Sequence, residues 1–302
     1  MGRKGRSTGG PDGLAVVDKP AGWTSHDVVA KARGLLGTRR VGHSGTLDPD
    51  ATGVLLLGVG RVTRLLRFLG NHPKTYVGEV VLGAETSTLD ASGEVTATHD
   101  MAGITLPDVE AAAAAFVGEI EQVPPMVSAI KVDGRRLHEL AREGVEVERA
   151  PRPVTIHALR VAAVDGDALV FRLEVQCSSG TYIRTLADDL GHALGGGAHL
   201  RNLRRTAIGP FAVDDTIELD ALEPDALLPP IAALVGYSSV TVDAEMAAAI
   251  RNGNVLPADA LGVDGAGPWA VVDGSGALLA VYERRGDTEV KPAVVLAGGG
   301  PS

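Results

Sequence analysis

Two apolar runs meet across Asp165–Gly166, and they limit the fold more than any other feature of the chain. Val154–Val164 precedes the pair and Ala168–Cys177 follows it, with Leu169, Phe171, Leu173, Val175 and Cys177 falling on alternate positions. Period-two alternation around Asp-Gly is the signature of a β-hairpin with one buried face. The same alternation places Cys177 in the core as a packed thiol rather than a reactive one. The second run ends in Ser178–Ser179–Gly180 and restarts at helical spacing over Thr181–Leu194, with Ile183, Leu186, Ala187 and Leu190 on one side. A strand feeding a helix through Ser-Ser-Gly leaves backbone N–H groups free for an anion.

Further elements follow from the same patterns. Gly13–Asp18 reads as a short buried strand, and Thr24 or Ser25 caps a helix carrying Val28, Val29, Ala32, Leu35 and Leu36. Val54–Leu57 is a buried strand or a helix start, and Tyr76–Gly83 is a strand. Pro107 opens an Ala-rich helix from Asp108 to about Val117. Arg135–Arg142 is predicted helical. Residues 223–237, rich in Ala, Pro and Leu, read as a linker. Beyond them lie a short helix, Asp243–Arg251, and strands around Trp269–Val272, Leu278–Tyr282 and Glu289–Val295, with a turn at Asp273–Gly276. The chain holds only four Phe, four Tyr and two Trp, so Val, Leu, Ile and Ala must build the core.

The charge balance misleads when averaged. The chain of 302 residues has a formal net charge of −10, which excludes a uniformly basic nucleic-acid binder. Residues 1–75, however, carry 12 Lys/Arg against 5 Asp/Glu, a basic quarter suited to a polyanion. The ordinary reading of such a stretch is solvated surface behind a disordered start, residues 1–12. A single cysteine excludes an internal disulfide and a zinc site of several thiolates, and a reducing cytoplasm is the expected compartment. Met1–Gly13 has no apolar stretch of a secretory signal. The longest uncharged run, Ala226–Val242, is interrupted by Pro229 and Pro230 and is too short to span a bilayer.

Two segments are dense enough for chemistry. Gly42–Gly53 reads GHSGTLDPDATG, in which Pro49 disfavours the α region at Asp48 and places that carboxylate at the mouth of a turn. The phosphate-loop spacing is absent, and His43 and Asp48 have no nearby Cys or second His to complete a metal site. On physics alone an Asp-Pro loop is usually a turn or a cap. In the second segment, Cys177–Gly191, Arg184 either serves an anionic site or pairs with Asp188 one helical turn on.

Five blocks now stand in order: DKPAGWTS at Asp18–Ser25, HSGTLDPDATG at His43–Gly53, Lys74–Thr75–Tyr76, Val127–Lys131 and GTYIR at Gly180–Arg184. Together they closely resemble the bacterial tRNA pseudouridine-55 synthases of the TruB family. The resemblance is specific over residues 13–210 and weak beyond the linker. It implies an α+β fold: a large catalytic domain, 13–222, with a mixed, mainly antiparallel central sheet flanked by helices. A thumb-like excursion over 124–153, a linker at 223–237 and a small β-rich PUA-like domain at 238–302 complete it.

The resemblance also implies roles. Asp48 matches the family's nucleophilic aspartate and Arg184 its carboxylate partner, while Tyr76 and Tyr182 match tyrosines that hold a flipped uridine. His43 matches a histidine that works on the T-loop, and Leu203 a pocket-wall residue. Lys19, Lys131, Arg204 and Arg205 are implied RNA contacts. Ser44 departs from the family's usual Thr but keeps the hydroxyl. No metal or organic cofactor is implied; the expected partner is the T-arm of tRNA, acting on a cytoplasmic monomer without membrane or obligate protein partner. The competing reading is a non-catalytic tRNA-binding or tRNA-folding protein. A base-removing glycosidase is a third, and the matched blocks offer no obvious second carboxylate for it.

Overall fold

The computed structural model describes residues 10–128, 131, 132, 135, 136, 143, 145 and 147–296. The hairpin forms where Asp165–Gly166 places it, with strands Arg152–Val164 and Asp167–Cys177 paired antiparallel. Its inward residues Phe171, Leu173, Val175 and Cys177 are each at most 3% exposed. Hydrophobic burial of that face fixes the register, because a one-residue slip would turn every one of them outward.

The hairpin belongs to a sheet of ten strands among the described residues. Four of these strands are β1 (Gly13–Lys19), β2 (Val41–Ser44), β3 (Thr52–Val59) and β4 (Lys74–Leu82). The order across the sheet is Ile217–Glu218, β1, β3, Ala198–Ile208, β4, Asp167–Cys177, Arg152–Val164, Gly118–Gln122. β2 and Phe211–Ala212 pair off this path. Ile217–Glu218 runs parallel to β1 and Ala198–Ile208 parallel to β3, while the other pairings are antiparallel. Val54–Leu57, open between strand and helix in the sequence, is the buried centre of β3.

The parallel seam between β3 and Ala198–Ile208 needs a glycine. Gly53 pairs with Arg205 and has φ +102°, and a Cβ there would lie 2.1 Å from the Arg205 carbonyl oxygen. Gly53→Ala is therefore expected to lose about 2–5 kcal/mol, combining a positive-φ penalty with overpacking. Urea unfolding checks this, and a midpoint equal to wild type contradicts it.

Helices pack on the sheet with ends set by local chemistry. Thr24 and Asp27 form a capping box on α1 (Ser25–Leu35). A second box, Thr105 with Asp108, starts the Ala-rich helix at Leu106 and it ends at Ala114, earlier at both ends than its composition predicts. The helix expected from Thr181 runs Ile183–Ala193, because Tyr182 is held extended ahead of it. Arg135–Arg136, expected to open a helix, is instead a short strand paired with Lys131–Val132. The rest of that expected helix lies outside the described residues. No helix among the described residues is long and apolar enough to cross a membrane.

A second sheet follows, in the order Ser238–Thr241, Trp269–Val272, Leu278–Arg285, Glu289–Val295, Leu256–Pro257. The stretch read as a linker is packed rather than loose. Leu228 exchanges two backbone hydrogen bonds with Leu14, and Ala233 and Leu234 are buried. One apolar cluster joins Leu14, Val54, Leu65 and Leu234 to Val272, Leu278, Val294 and Leu296 of the second sheet. Arg61 donates to the Leu296 carbonyl and Arg64 Nη1 to the Val295 carbonyl at 2.8 Å, closing the same junction.

Candidate active site

The Gly45–Ala51 loop leaves β2 with Asp48 at its tip, and four side chains or backbone groups clamp it. Arg205 Nη2 donates to the Gly45 carbonyl at 3.0 Å. The Leu47 N–H donates to Ser25 Oγ at 2.9 Å. The Pro49 carbonyl accepts from Lys19 Nζ at 2.8 Å and from the Gly22 N–H at 2.9 Å. The Ala51 N–H then donates to the Asp48 carbonyl, closing the turn that Pro49 favours. Asp48 thus sits on a loop whose backbone is tied on both shoulders.

Its carboxylate meets Arg184, which is buried at the first turn of Ile183–Ala193. Arg184 Nε lies 3.0 Å from Oδ2, and Nη2 donates to Oδ1 at 3.1 Å, a planar two-point contact. The remaining guanidinium donors are also used: Nη1 donates to the Thr88 carbonyl at 3.1 Å and Nη2 to that of Val127 at 2.9 Å. Asp90 Oδ2 approaches Nη1 at 3.5 Å. Arg184 therefore does not pair with Asp188, the local alternative. Burial pushes the Asp48 carboxyl above its usual range, and the Arg184 charge opposes that rise. The Asp48 side chain nevertheless keeps 41% of its surface open, and it borders two adjoining cavities.

The first cavity, of about 300 Å³, is lined by Asp48, Tyr76, Tyr182, Arg184, Leu203 and Arg205, with Lys74 among its other walls. Among the described residues Asp48 is the only carboxylate on its lining. Tyr76 stands on β4 with its ring 6.0 Å from the Arg205 guanidinium carbon. Burial pushes the phenols of both Tyr76 and Tyr182 up, so both stay neutral in water near neutral pH. Gln122 fixes the Tyr182 backbone from both sides: its Oε1 accepts the Tyr182 N–H at 2.9 Å and its Nε2 donates to the carbonyl at 3.2 Å. Leu203 lies where Ala198–Ile208 shifts register between Arg201 and Arg204, next to Asn202 at φ +54°. That irregularity aims Leu203 into both cavities.

The other residues that the resemblance implies are placed differently from Asp48 and its tyrosines. His43 borders neither cavity. It packs edge-on against His26 with ring centroids 5.2 Å apart, and its buried Nδ1 has no hydrogen-bond partner among the described residues. Burial, then the nearby His26 and Arg205 charges, push its pKa down to about 4. Lys19 and Arg205, expected as RNA contacts, are both 0% exposed. Lys19 spends its three donors on the carbonyls of Pro20, Trp23 and Pro49, so it braces the loop and reaches no phosphate. Arg205 reaches the cavity wall but not the outer surface. Arg204 is tied to Asp18 through two hydrogen bonds. The Lys131 side chain lies outside the described residues. Asp90, Gln122 and Thr88 complete the site from outside the five blocks, so only their position in space marks them, whereas Lys74 stands in a block without a role read for it.

Comparison with known proteins identifies the family. The profile described as TruB family pseudouridylate synthase (N terminal domain) matches residues 33–183, and that of the tRNA pseudouridylate synthase B C-terminal domain matches residues 184–228. A tRNA pseudouridine synthase B from Rhodococcus jostii (strain RHA1) is 49% identical over 91% of this chain and 90% of that protein. One from Streptomyces coelicolor is 48% identical over 90% of this chain and 93% of its own length. Among solved structures, a chain in the crystal structure of a Cbf5–Nop10–Gar1 complex superposes with TM-score 0.70 at 26% identity, covering 93% of this chain and 83% of that one. With an aspartate–arginine pair between two tyrosines and identity of this extent to proteins of one kind, the chain belongs to the TruB family of pseudouridylate synthases.

Proposed function

We propose that this enzyme converts the uridine at position 55 in the T-loop of tRNA to pseudouridine, with Asp48 as its catalytic nucleophile. The observation that carries the reading is the Asp48 carboxylate, held at two points by Arg184 in a cavity walled by Tyr76 and Tyr182. The relatives from Rhodococcus and Streptomyces, named for tRNA pseudouridine synthesis, support tRNA as the substrate.

A uridine inside a folded loop must leave its stack before its base can be reached. The cavity is of a size for one base, and Tyr76 offers a stacking face beside Leu203. Burial raises the Asp48 pKa and Arg184 opposes that rise, favouring the ionised carboxylate that attacks or assists departure at the glycosidic bond. The base then re-bonds through C5 instead of N1. Asp50 and Asp90 are further carboxylates near Asp48, but both line the adjoining cavity, not the one between the tyrosines, and Asp90 pairs with Arg184. That placement favours an isomerase over a glycosidase, which needs its two carboxyls flanking one bond. His43, neutral and outside the cavity, suits contact with the loop left behind rather than proton transfer. Residues 13–222 would form the catalytic domain with the thumb at 124–153, joined through 223–237 to a PUA-like unit at 238–302. The reading needs no cofactor and takes the enzyme as a cytoplasmic monomer.

Tritium release from a T-arm stem-loop labelled at C5 of its uridines tests the reading. Release equivalent to one uridine is expected, and it should vanish when position 55 is changed to cytidine. Release that survives that change places the substrate elsewhere.

A further inference from the structure

The floor of the cavity carries positive charge that no carboxylate balances. Lys74, 7% exposed, donates from Nζ to the Gly70 carbonyl at 3.0 Å and the His72 carbonyl at 2.9 Å. An ammonium has three donors, so one remains. Arg205, 0% exposed, donates from Nε to the Val54 carbonyl at 2.8 Å and from Nη2 to that of Gly45 at 3.0 Å. Among the described residues neither cation has a carboxylate within 4.0 Å. Both crowd Gly45: a Cβ there would lie 3.4 Å from Arg205 Nη1 and 3.5 Å from Lys74 Cε. Desolvated cations without a counter-ion are costly, and a binding pocket keeps them where the ligand supplies the missing charge.

We propose that Lys74 is a further catalytic residue, whose remaining N–H, backed by Arg205, donates to a uracil carbonyl and holds the charge the base acquires as its bond to C1′ breaks. The inference rests on the reading of this cavity as the uridine site. When the C1′–N1 bond breaks, its electron pair leaves with the base, so the uracil carries a negative charge shared among N1, O2 and O4. An electron pair from C5 then forms the new bond to C1′, the C5 hydrogen leaves as a proton, and N1 takes up a proton. The cations interact most strongly while the base is detached, so their effect falls on kcat rather than on binding.

The groups facing Lys74 set its protonation. Burial and the Arg205 charge from strand Ala198–Ile208 push its pKa down to about 8, and the Cys177 thiol from the neighbouring strand pulls the other way. His72, in the loop before it, is itself held low by burial and by the Lys74 charge, so it adds no cation near neutral pH. A neutral amine no longer holds an anionic base, so wild-type kcat should fall as pH rises through about 8.

The experiment compares full-length wild type, Lys74→Met and Lys74→Arg in single-turnover tritium release from C5-labelled tRNA, with tRNA affinity and Tm measured alongside. Lys74→Met is expected to lower kcat about 100-fold with affinity within about twofold of wild type. Lys74→Arg is expected to restore most of the rate and to remove the alkaline fall, because a guanidinium stays charged throughout. The proposal is overturned by Lys74→Met turning over at the wild-type rate. It is equally overturned if Lys74→Arg, folded and active, keeps the wild-type alkaline fall. Either result leaves the uridine reading standing when wild type releases tritium. No release by wild type removes both.

Discussion

Asp48→Asn is expected to bind tRNA and release essentially no C5 tritium, with a single-turnover rate at least about 1,000-fold below wild type. The carboxamide keeps the shape of the side chain at the tip of the clamped loop but cannot act as an anionic nucleophile. Binding should survive, since Asp48 contributes no positive charge to the RNA face and its loop is tied through Gly45, Leu47 and Pro49. The outcome that sinks the assignment is wild-type release by this variant. A loss of tRNA affinity equal to the loss of rate would instead make Asp48 a structural element of the loop.

Arg184→Lys should lower kcat about 100-fold at neutral pH and move the acid side of the pH profile upward. A lysine ammonium is one point of charge, whereas Arg184 meets both Asp48 oxygens at 3.0 and 3.1 Å and also serves the carbonyls of Thr88 and Val127. The sign of the pH effect follows from the causes at Asp48. Burial raises its pKa and Arg184 opposes the rise, so weakening the arginine contact lets it rise further. Since the ionised carboxylate is the active form, rate disappears as pH falls through that pKa, and in the variant it disappears from a higher pH. A pH–rate series on both proteins decides the matter; superimposable acid limbs would show that the guanidinium does not set Asp48's charge.

What was readable before the structure divides by the range of the interaction. The Asp165–Gly166 hairpin, the Thr24 cap and three of the five described strands of the second sheet are written in period, turn chemistry and capping residues, all local. The partner of Arg184 was not: Asp188 one turn away is as good a candidate by spacing as Asp48, 136 positions distant, and only the resemblance of whole blocks favoured the distant one. Lys19 and Arg205 look like surface cations because their partners are backbone carbonyls, which every residue possesses and no pattern announces. Gln122 and Asp90 escaped notice for a related reason, since each acts through the place where strands and loops meet, and Lys74 stood in a matched block without its role being legible there. The residues read as a linker carry more packing than their pattern announces. Ala, Pro and Leu that interrupt helix and strand patterns also make short apolar turns, and here those turns seal against β1.

That seal changes what the second sheet can be. Because Leu14, Val54 and Leu234 share one apolar cluster with Val272, Leu278 and Leu296, the two sheets are packed against one another like the jaws of a set caliper rather than strung on a loose tether. An RNA that touched both would lose no freedom of domain orientation on binding, since the protein has already surrendered it in folding. It would also be gauged for length: the span from the Asp48 cavity to any contact on the second sheet is set by packed side chains, so an RNA with too short or too long an arm gains one contact only by giving up the other.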